Sequence, residues 1–260
     1  MWWKILAPFR LLYKIYFALI FVIVSLVMYP GALILIQRKE WRNALFFYKK
    51  NIWVPLICIL SFIFKKVNYP PGFHFPKGAY VVCCNHTSYL DIVLLYTIIP
   101  GQYVFLAKEE VRKIPFVSLF FRKGVHETVQ RGNKSDGSRA LEKMREKTDA
   151  GLPVILFPEG GTSKHPPRMK KELKPGPFKL AIEKQIPVLP ITFVNNWQIL
   201  SSPSEPFGHS RPGISKIVFH PTIDTKGMAE KDLLSLQQRV HDIIEAPIKK
   251  RYPEYFHENK

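Results

Sequence analysis

The stretch Asn85-His86-Thr87-Ser88-Tyr89-Leu90-Asp91 decides how this chain reads. Ahead of it, Ala79-Tyr80-Val81-Val82-Cys83-Cys84 is an unbroken run of apolar and small residues, the pattern of a buried strand. Behind it, Ile92-Val93-Leu94-Leu95-Tyr96 forms the apolar part of a short helix. Ser88, followed three residues on by Asp91, fits a capping box and predicts that the helix starts near Ser88. On one continuous helix, side chains five apart diverge by about 140°. With His86 in the turn before the helix and Asp91 in its first turn, the two can meet. A carboxylate on one imidazole nitrogen holds one tautomer and makes the other nitrogen a better base. No serine or cysteine nucleophile is presented with the pair, so the base would act directly on a substrate hydroxyl. The plainer alternative makes Asp91 only a capping carboxylate, and the pair alone does not choose.

Composition narrows the setting. The 260 residues carry a formal charge of +18 and are 47% apolar, with 5 Trp, 11 Tyr and 19 Phe. That is enough for one sizeable core plus an appendage, and the charge points to an anionic partner or surface. Cys58, Cys83 and Cys84 are an odd set without metal-site spacing. They read as small apolar residues in a reducing compartment, not as a disulfide or zinc framework.

Upstream, residues 1–70 differ from the rest and read as membrane-anchoring helices. Ile15–Ile36 is 22 residues without a charge, long enough to cross a bilayer, with Pro30-Gly31 placed to kink or end the helix. Ile52–Phe64, at 13 residues, suits an interfacial or re-entrant helix. Trp2, Trp3, Trp41 and Trp53 flank these runs as an aromatic belt would. Ten basic residues stand here against Glu40 alone. A cleaved signal peptide would need a small-residue site after the apolar core, and Gln37-Arg38-Lys39-Glu40 is none.

Downstream, the turn-rich Asn68-Tyr69-Pro70-Pro71-Gly72 marks a boundary, and residues 71–260 read as one catalytic domain. Strands and helices then alternate, which predicts an α/β fold with a mostly parallel sheet flanked by helices. Tyr103–Ala107, Val125–Val129, Val154–Phe157, Val188–Val194 and Ile214–His220 read as strands. Ser135–Thr148, Phe178–Gln185 and Ala229–Lys250 read as helices. Pro158-Glu159-Gly160-Gly161-Thr162-Ser163 ends a buried strand in a glycine-rich turn, where backbone N–H groups can approach an anion. A basic loop with Lys164, His165, Arg168, Lys170, Lys171 and Lys174 follows. Gly176-Pro177 then opens a helix whose N-terminal amides favour negative charge. Pro190 suggests a sheet edge or a strand end near a ligand.

Taken together these blocks resemble the lysophosphatidic acid acyltransferases, the 1-acylglycerol-3-phosphate acyltransferase family, over about residues 70–200. NHTSYLD matches the family's N-H-x4-D, which implies His86 as base and Asp91 as its partner. GVHETVQR, residues 124–131, resembles a second block in which Arg131 is implied to bind glycerol phosphate. FPEGGTS resembles a third block usually written F-P-E-G-T-R-S, and VLPITF, with Pro190, a fourth. Lys108-Glu109-Glu110 and Lys174-x-Gly176 also look like family features. Thr128 stands where the second block carries Phe, and Thr162 where the third carries Arg. Arginine is the residue best suited to two-pronged phosphate recognition, so Lys164, Arg168 or Lys170 would have to replace it.

The resemblance implies transfer of an acyl group from a thioester to the sn-2 hydroxyl of lysophosphatidic acid, giving phosphatidic acid. Arg131 and Lys108 would hold the phosphate, and Glu159, Gly160, Gly161, Thr162 and Ser163 would line the acceptor and oxyanion. No metal or cofactor is implied; the donor would be acyl-CoA or acyl carrier protein. The setting would be the cytoplasmic face of a bacterial inner membrane. One rival is an acyltransferase for another lysolipid, such as a lyso-aminolipid, supported by Thr162. Another is a non-catalytic protein binding anionic lipid, which leaves NHTSYLD and FPEG unexplained. Nucleic-acid binding lacks any recognition motif.

Overall fold

The computed structural model of the chain describes residues 2–129, 134–163, 165–202 and 204–256. Helix α1 (Trp2–Leu35) leads into α2 (Arg42–Tyr48), a π-helical turn (Lys49–Trp53) and α3 (Val54–Leu60). Among the described residues, seven strands form one sheet: β1 (Ile63–Asn68), β2 (Val81–Cys84), β3 (Val104–Lys108), β4 (Glu127–Val129), β5 (Val154–Leu156), β6 (Val188–Phe193) and β7 (Gly213–Phe219). The remaining helices are α4 (Tyr89–Ile98), α5 (Ser118–Arg122), α6 (Lys134–Asp149), α7 (Gly176–Lys184), α8 (Asn196–Ile199) and α9 (Leu233–Arg251).

The strand order is β1-β7-β6-β2-β5-β3-β4. Strands β6, β2, β5, β3 and β4 are mutually parallel, while β7 pairs antiparallel with β6 and parallel with β1. The predicted mixed, mostly parallel sheet is therefore present. Strand β2 lies in the middle, and its side chains alternate between two cores, as a pleated strand requires. Val82 and Cys84 pack with α1–α4, whereas Val81 and Cys83 pack with α6, α7 and α9. Burial on both faces is why residues 79–84 read as a continuous apolar run. The three cysteines are free and buried, and burial pushes the Cys83 and Cys84 thiols up, away from reactivity.

Three expectations change. First, the sheet begins before the 68–72 break, because β1 pairs with β7 along all six of its residues. The apolar run 52–64 is not one helix: α3 stops at Leu60, Phe62 turns with φ 53°, and Ile63 starts the strand. Second, α1 continues through Pro30 to Leu35. Gly31 lets Tyr48 come close, since a Cβ there would lie 2.7 Å from the Tyr48 hydroxyl, and that hydroxyl donates to the Met28 carbonyl at 3.0 Å. Third, Trp53 belongs to the core, not to an interfacial belt: it is buried, and its Nε1 donates to Ser25 at 3.2 Å.

Helix α1 is long and apolar enough over Ala7–Leu35 to cross a membrane, and little of its apolar window is buried. A core helix would be mostly buried. Helix α1 is tied to the body by Tyr13, which donates to the Ser61 carbonyl at 2.8 Å, and by Lys14, which donates to the Ser202 carbonyl at 3.1 Å. Its exposed side chains, Phe9, Leu12, Leu19, Val27 and Ile34, together with Phe62 and Phe64 beside it in the chain's N-terminal part, give the protein a membrane-associating apolar surface.

Candidate active site

All five parallel strands end at one edge of the sheet, and β2 is the switch point, flanked by β5 on one side and β6 on the other. Open α/β sheets bind ligands in the crevice beyond such carboxyl ends. His86 lies two residues past β2, Glu159 three past β5, Asn196 three past β6, and Lys108 closes β3.

Helix α4 starts as the sequence predicts. Ser88 is the N-cap, its Oγ accepts from the Leu90 N–H at 3.0 Å, and Asp91 completes the capping box. The same carboxylate also holds the histidine: Asp91 Oδ2 is 3.0 Å from His86 Nδ1. A carboxylate oxygen accepts, so Nδ1 carries a proton, and in the neutral imidazole the lone pair is the one on Nε2. Asp91 is fully buried and satisfied on both oxygens. Oδ2 also accepts from the N–H groups of Thr87 (2.8 Å) and Ser88 (2.9 Å), and Oδ1 accepts from Asn196 Nδ2 at 2.7 Å. Capping and pairing with His86, set as alternatives by the sequence, are both done by one side chain. His86 is 7% exposed, and its imidazole stacks on Phe157 with ring centroids 4.2 Å apart.

Glu159 ties the second loop to the first. Its Oε1 accepts from the His86 N–H at 2.8 Å, and its Oε2 accepts from the Lys170 N–H at 3.1 Å. Burial pushes its carboxyl up to about 7, against the lowering effect of those two N–H donors. The Ser163 N–H closes the turn on the His86 carbonyl at 2.7 Å. Gly160 adopts φ 68°, a left-handed value suited to glycine, and the Lys174 side chain lies over it. Lys170 is held at the turn as well, its Nζ donating to the Glu159 carbonyl at 2.8 Å.

The structure thus brings His86, Asp91, Glu159, Gly160, Gly161, Thr162, Ser163, Lys170 and Lys174 to one place. Lys108 sits on the same edge but is exposed and paired with Glu110 at 2.5 Å. Arg131 and Lys164 lie outside the described residues. Arg168 is turned toward the C-terminal segment, donating to the Tyr255 carbonyl. Gly176 begins α7, as predicted. Pro190 is not at an edge or a strand end: it is buried within β6, opposite Cys83 of β2. Its missing N–H falls in the gap between the end of β7 and the Val188–Ile223 bridge, and its carbonyl accepts from the His220 N–H at 3.2 Å. A proline costs no ladder bond there, and the carbonyl is already engaged.

Sequence reading missed Asn196 and Asn85. Asn85 clamps β2 to β6 through paired bonds with the Phe193 backbone, at 2.9 and 2.8 Å. The signal for Asn85 lay within the quoted stretch; Asn196 had none, because its partner is 105 residues away.

A family model described as Acyltransferase matches residues 64–194. The chain is 27% identical over 176 residues to a putative 1-acyl-sn-glycerol-3-phosphate acyltransferase of Caenorhabditis elegans, covering 66% of this chain and 60% of that one. It is 28% identical over 145 residues to the 1-acyl-sn-glycerol-3-phosphate acyltransferase of Helicobacter pylori, covering 56% and 61%. These matches span about three fifths of each relative. The fold superimposes with a TM-score of 0.74 on the crystal structure of the 1-acyl-sn-glycerophosphate acyltransferase PlsC from Thermotoga maritima, at 23% identity and covering 93% and 95% of the two chains. With the matched model spanning the sheet from β1 to β6 and all of the His86–Asp91 site, the chain belongs to the acyltransferase family.

Proposed function

We propose that this protein transfers a fatty acyl group from a thioester to the sn-2 hydroxyl of 1-acyl-glycerol-3-phosphate, producing phosphatidic acid. The observation that carries the reading is the buried His86–Asp91 pair, with Nε2 as the remaining base. Nε2 takes the hydroxyl proton as the oxygen attacks the thioester carbonyl, and Asp91 stabilises the imidazolium. The tetrahedral intermediate then expels the thiol, with His86 returning the proton. The hydroxyls of Ser88 and Ser163 are bound to the Leu200 and Arg168 carbonyls, which favours direct transfer over an acyl-serine. The Gly160 N–H is taken by the Phe157 carbonyl at 3.0 Å, so the oxyanion donors of this turn are the N–H groups of Gly161 and Thr162. No step calls for a metal or cofactor.

Donor and setting follow from the same chemistry. The basic surface suits the phosphates of acyl-CoA as well as an acidic acyl carrier protein, and both acyl-bearing substrates partition to a bilayer. Helix α1 meets the body about a third of the way along, through Lys14 to Ser202, and again near its C-terminal end, through Tyr29 packed edge-on to Phe116. That favours a helix lying along one leaflet over one that crosses; the cytoplasmic face of a bacterial inner membrane is the setting that the family resemblance and the reduced cysteines support. A lysolipid of another headgroup is the second reading, favoured by Thr162 in the arginine position. Thiol release from acyl-CoA that depends on lysophosphatidate, and is lost in His86→Ala, tests the proposal. Release that is unchanged in His86→Ala, or that occurs only with phosphate-free lysolipids, overturns it.

A further inference from the structure

Strand β1 is an edge of the sheet, and its pairing with β7 brings like residues together. Phe64 stands beside Ile214, and Lys66 beside Lys216. Alternate residues of a strand share a face, so these four lie on one side of the strand pair. Their neighbours Ile63 and Ile217 point to the other side and join the core under α1–α4. Helices α6, α7 and α9 pack over the middle of the first side but leave all four residues exposed.

Two properties of this face call for a cover. Phe62, Phe64 and Ile214 are each more than half exposed. They sit together at the start of the strand pair, where the Gly213 N–H donates to the Phe62 carbonyl at 3.1 Å. Exposed large apolar side chains grouped in this way mark an interaction surface. Lys66 and Lys216, one step further along, have no ion-pair partner among the described residues. Lysines alone would guard an edge strand against pairing; exposed Phe and Ile beside them do the opposite.

The face runs into the apolar surface of α1. The Tyr13 and Tyr16 hydroxyls donate to the Ser61 and Leu60 carbonyls, at 2.8 and 2.5 Å, just ahead of β1. Leu12 and Leu19, beside those tyrosines, are exposed. It also runs into the catalytic edge. Asn195 Nδ2 donates to the Ile214 carbonyl at 2.9 Å, and Asn195 Oδ1 accepts from the Lys216 N–H at 2.8 Å. Asn196, the next residue, holds Asp91 and Ser215.

We propose that this face docks on an anionic bilayer surface, with Phe62, Phe64 and Ile214 at the acyl boundary and Lys66 and Lys216 on the lipid phosphates. Lysine stems lie along apolar surface and lift their charge to the headgroups. Helix α1 supplies the apolar hold whatever the lipid charge. The strand face supplies the preference for negative headgroups and, through Asn195, seats the catalytic edge against the membrane. An acidic protein would meet the lysines but leave three apolar side chains beside α1 in water, and a second copy of the chain would set lysine against lysine. None of this depends on which reaction the site performs.

The test is flotation of the full chain with phosphatidylcholine vesicles and with vesicles of phosphatidylcholine and phosphatidylglycerol. A lysine at an anionic surface is worth about fivefold in partition. Lys66→Gln with Lys216→Gln is therefore expected to weaken binding to the anionic vesicles about tenfold or more and to leave binding to the neutral ones unchanged. Lys226→Gln with Lys231→Gln removes the same charge from exposed positions between β7 and α9 and is expected to change neither. Ile214→Cys, labelled with an environment-sensitive fluorophore, reads the contact directly because the three native cysteines are buried; a blue shift is expected on the anionic vesicles. Equal losses from both lysine pairs would show an effect of net charge alone and overturn the docking face. So would an unshifted label, or a Lys66–Lys216 variant that keeps its vesicle preference and loses turnover only with an acyl carrier protein as donor, which would assign the face to an acidic protein.

Discussion

Asn196 Nδ2 donates to Asp91 Oδ1 at 2.7 Å across 105 residues of chain, while Asn196 Oδ1 accepts from Ser215 Oγ at 2.5 Å. The carboxylate that orients the candidate base is thus anchored to the end of β6 and, through Ser215, to β7. It does not depend on its own helix alone.

Asn196→Ala should therefore lower kcat without a matching rise in KM. A hydrogen bond to a charged group is worth about 1.5–3 kcal/mol, roughly ten- to a hundredfold if the loss is expressed at the base. Steady-state kinetics with acyl-CoA and lysophosphatidate check this. An unchanged kcat in a folded variant would show that the three bonds to Oδ2 suffice.

His86→Ala should reduce turnover by about 10²–10⁴-fold, the usual contribution of a general base. Asp91→Asn should reduce it as well, because an amide can present N–H to Nδ1 and favour the wrong tautomer. Activity retained in Asp91→Asn with circular dichroism unchanged would assign Asp91 to capping alone.

Glu159 predicts a pH dependence of stability. Its folded pKa of about 7 lies above the ordinary carboxyl value, so between the two the folded protein holds more protons than the unfolded chain. Its contribution is present at acid pH and is lost as pH rises from about 4.5 through about 7. Glu159→Gln should remove that slope. Denaturant titrations at several pH values, comparing the two proteins, measure it; a difference that stays constant with pH would contradict the assignment.

Lys49 is buried, its Nζ has no hydrogen-bond partner among the described residues, and it lies over the rings of Phe46, Tyr96 and Phe120 at 4.0, 4.5 and 4.6 Å. Burial and then the Arg42 charge push its ammonium well below the usual lysine range, and three ring faces oppose this without supplying an oxygen. Between the lowered folded value and the ordinary one the unfolded chain binds more protons, so stability rises with pH across that window. Lys49→Met should abolish the rise and increase Tm at neutral pH by at least about 2 °C. A lower Tm in this variant would mean that the cation–ring contacts outweigh the desolvation.

Leu26 and Val27 are exposed on α1, so Leu26→Glu with Val27→Glu should leave folding intact and release the protein from vesicles. Flotation with anionic vesicles reads this. Full retention of the double variant would place the membrane contact elsewhere.

The sequence by itself determined what depends on neighbours within a few residues. The run 79–84 is apolar on both sides because β2 is buried on both faces, and the Ser88 cap with His86 and Asp91 is local geometry. The glycine-rich turn after β5 and the apolar length of α1 are likewise written in short windows. The tertiary structure alone decided three matters. Strand β1 looked like the tail of an apolar helix, because Ile63-Phe64 continues the preceding run and only pairing with β7 makes it a strand. Pro190 looked like an edge residue, because a proline's missing N–H is harmless wherever a ladder is interrupted, and the gap beside β7 is made by residues 30 positions on. Asn196 gave no signal, because a lone asparagine acquires a role only when parallel strands bring the ends of β2 and β6 side by side. Long-range pairing of this kind is set by the packing of the whole sheet, and no window of the sequence contains it.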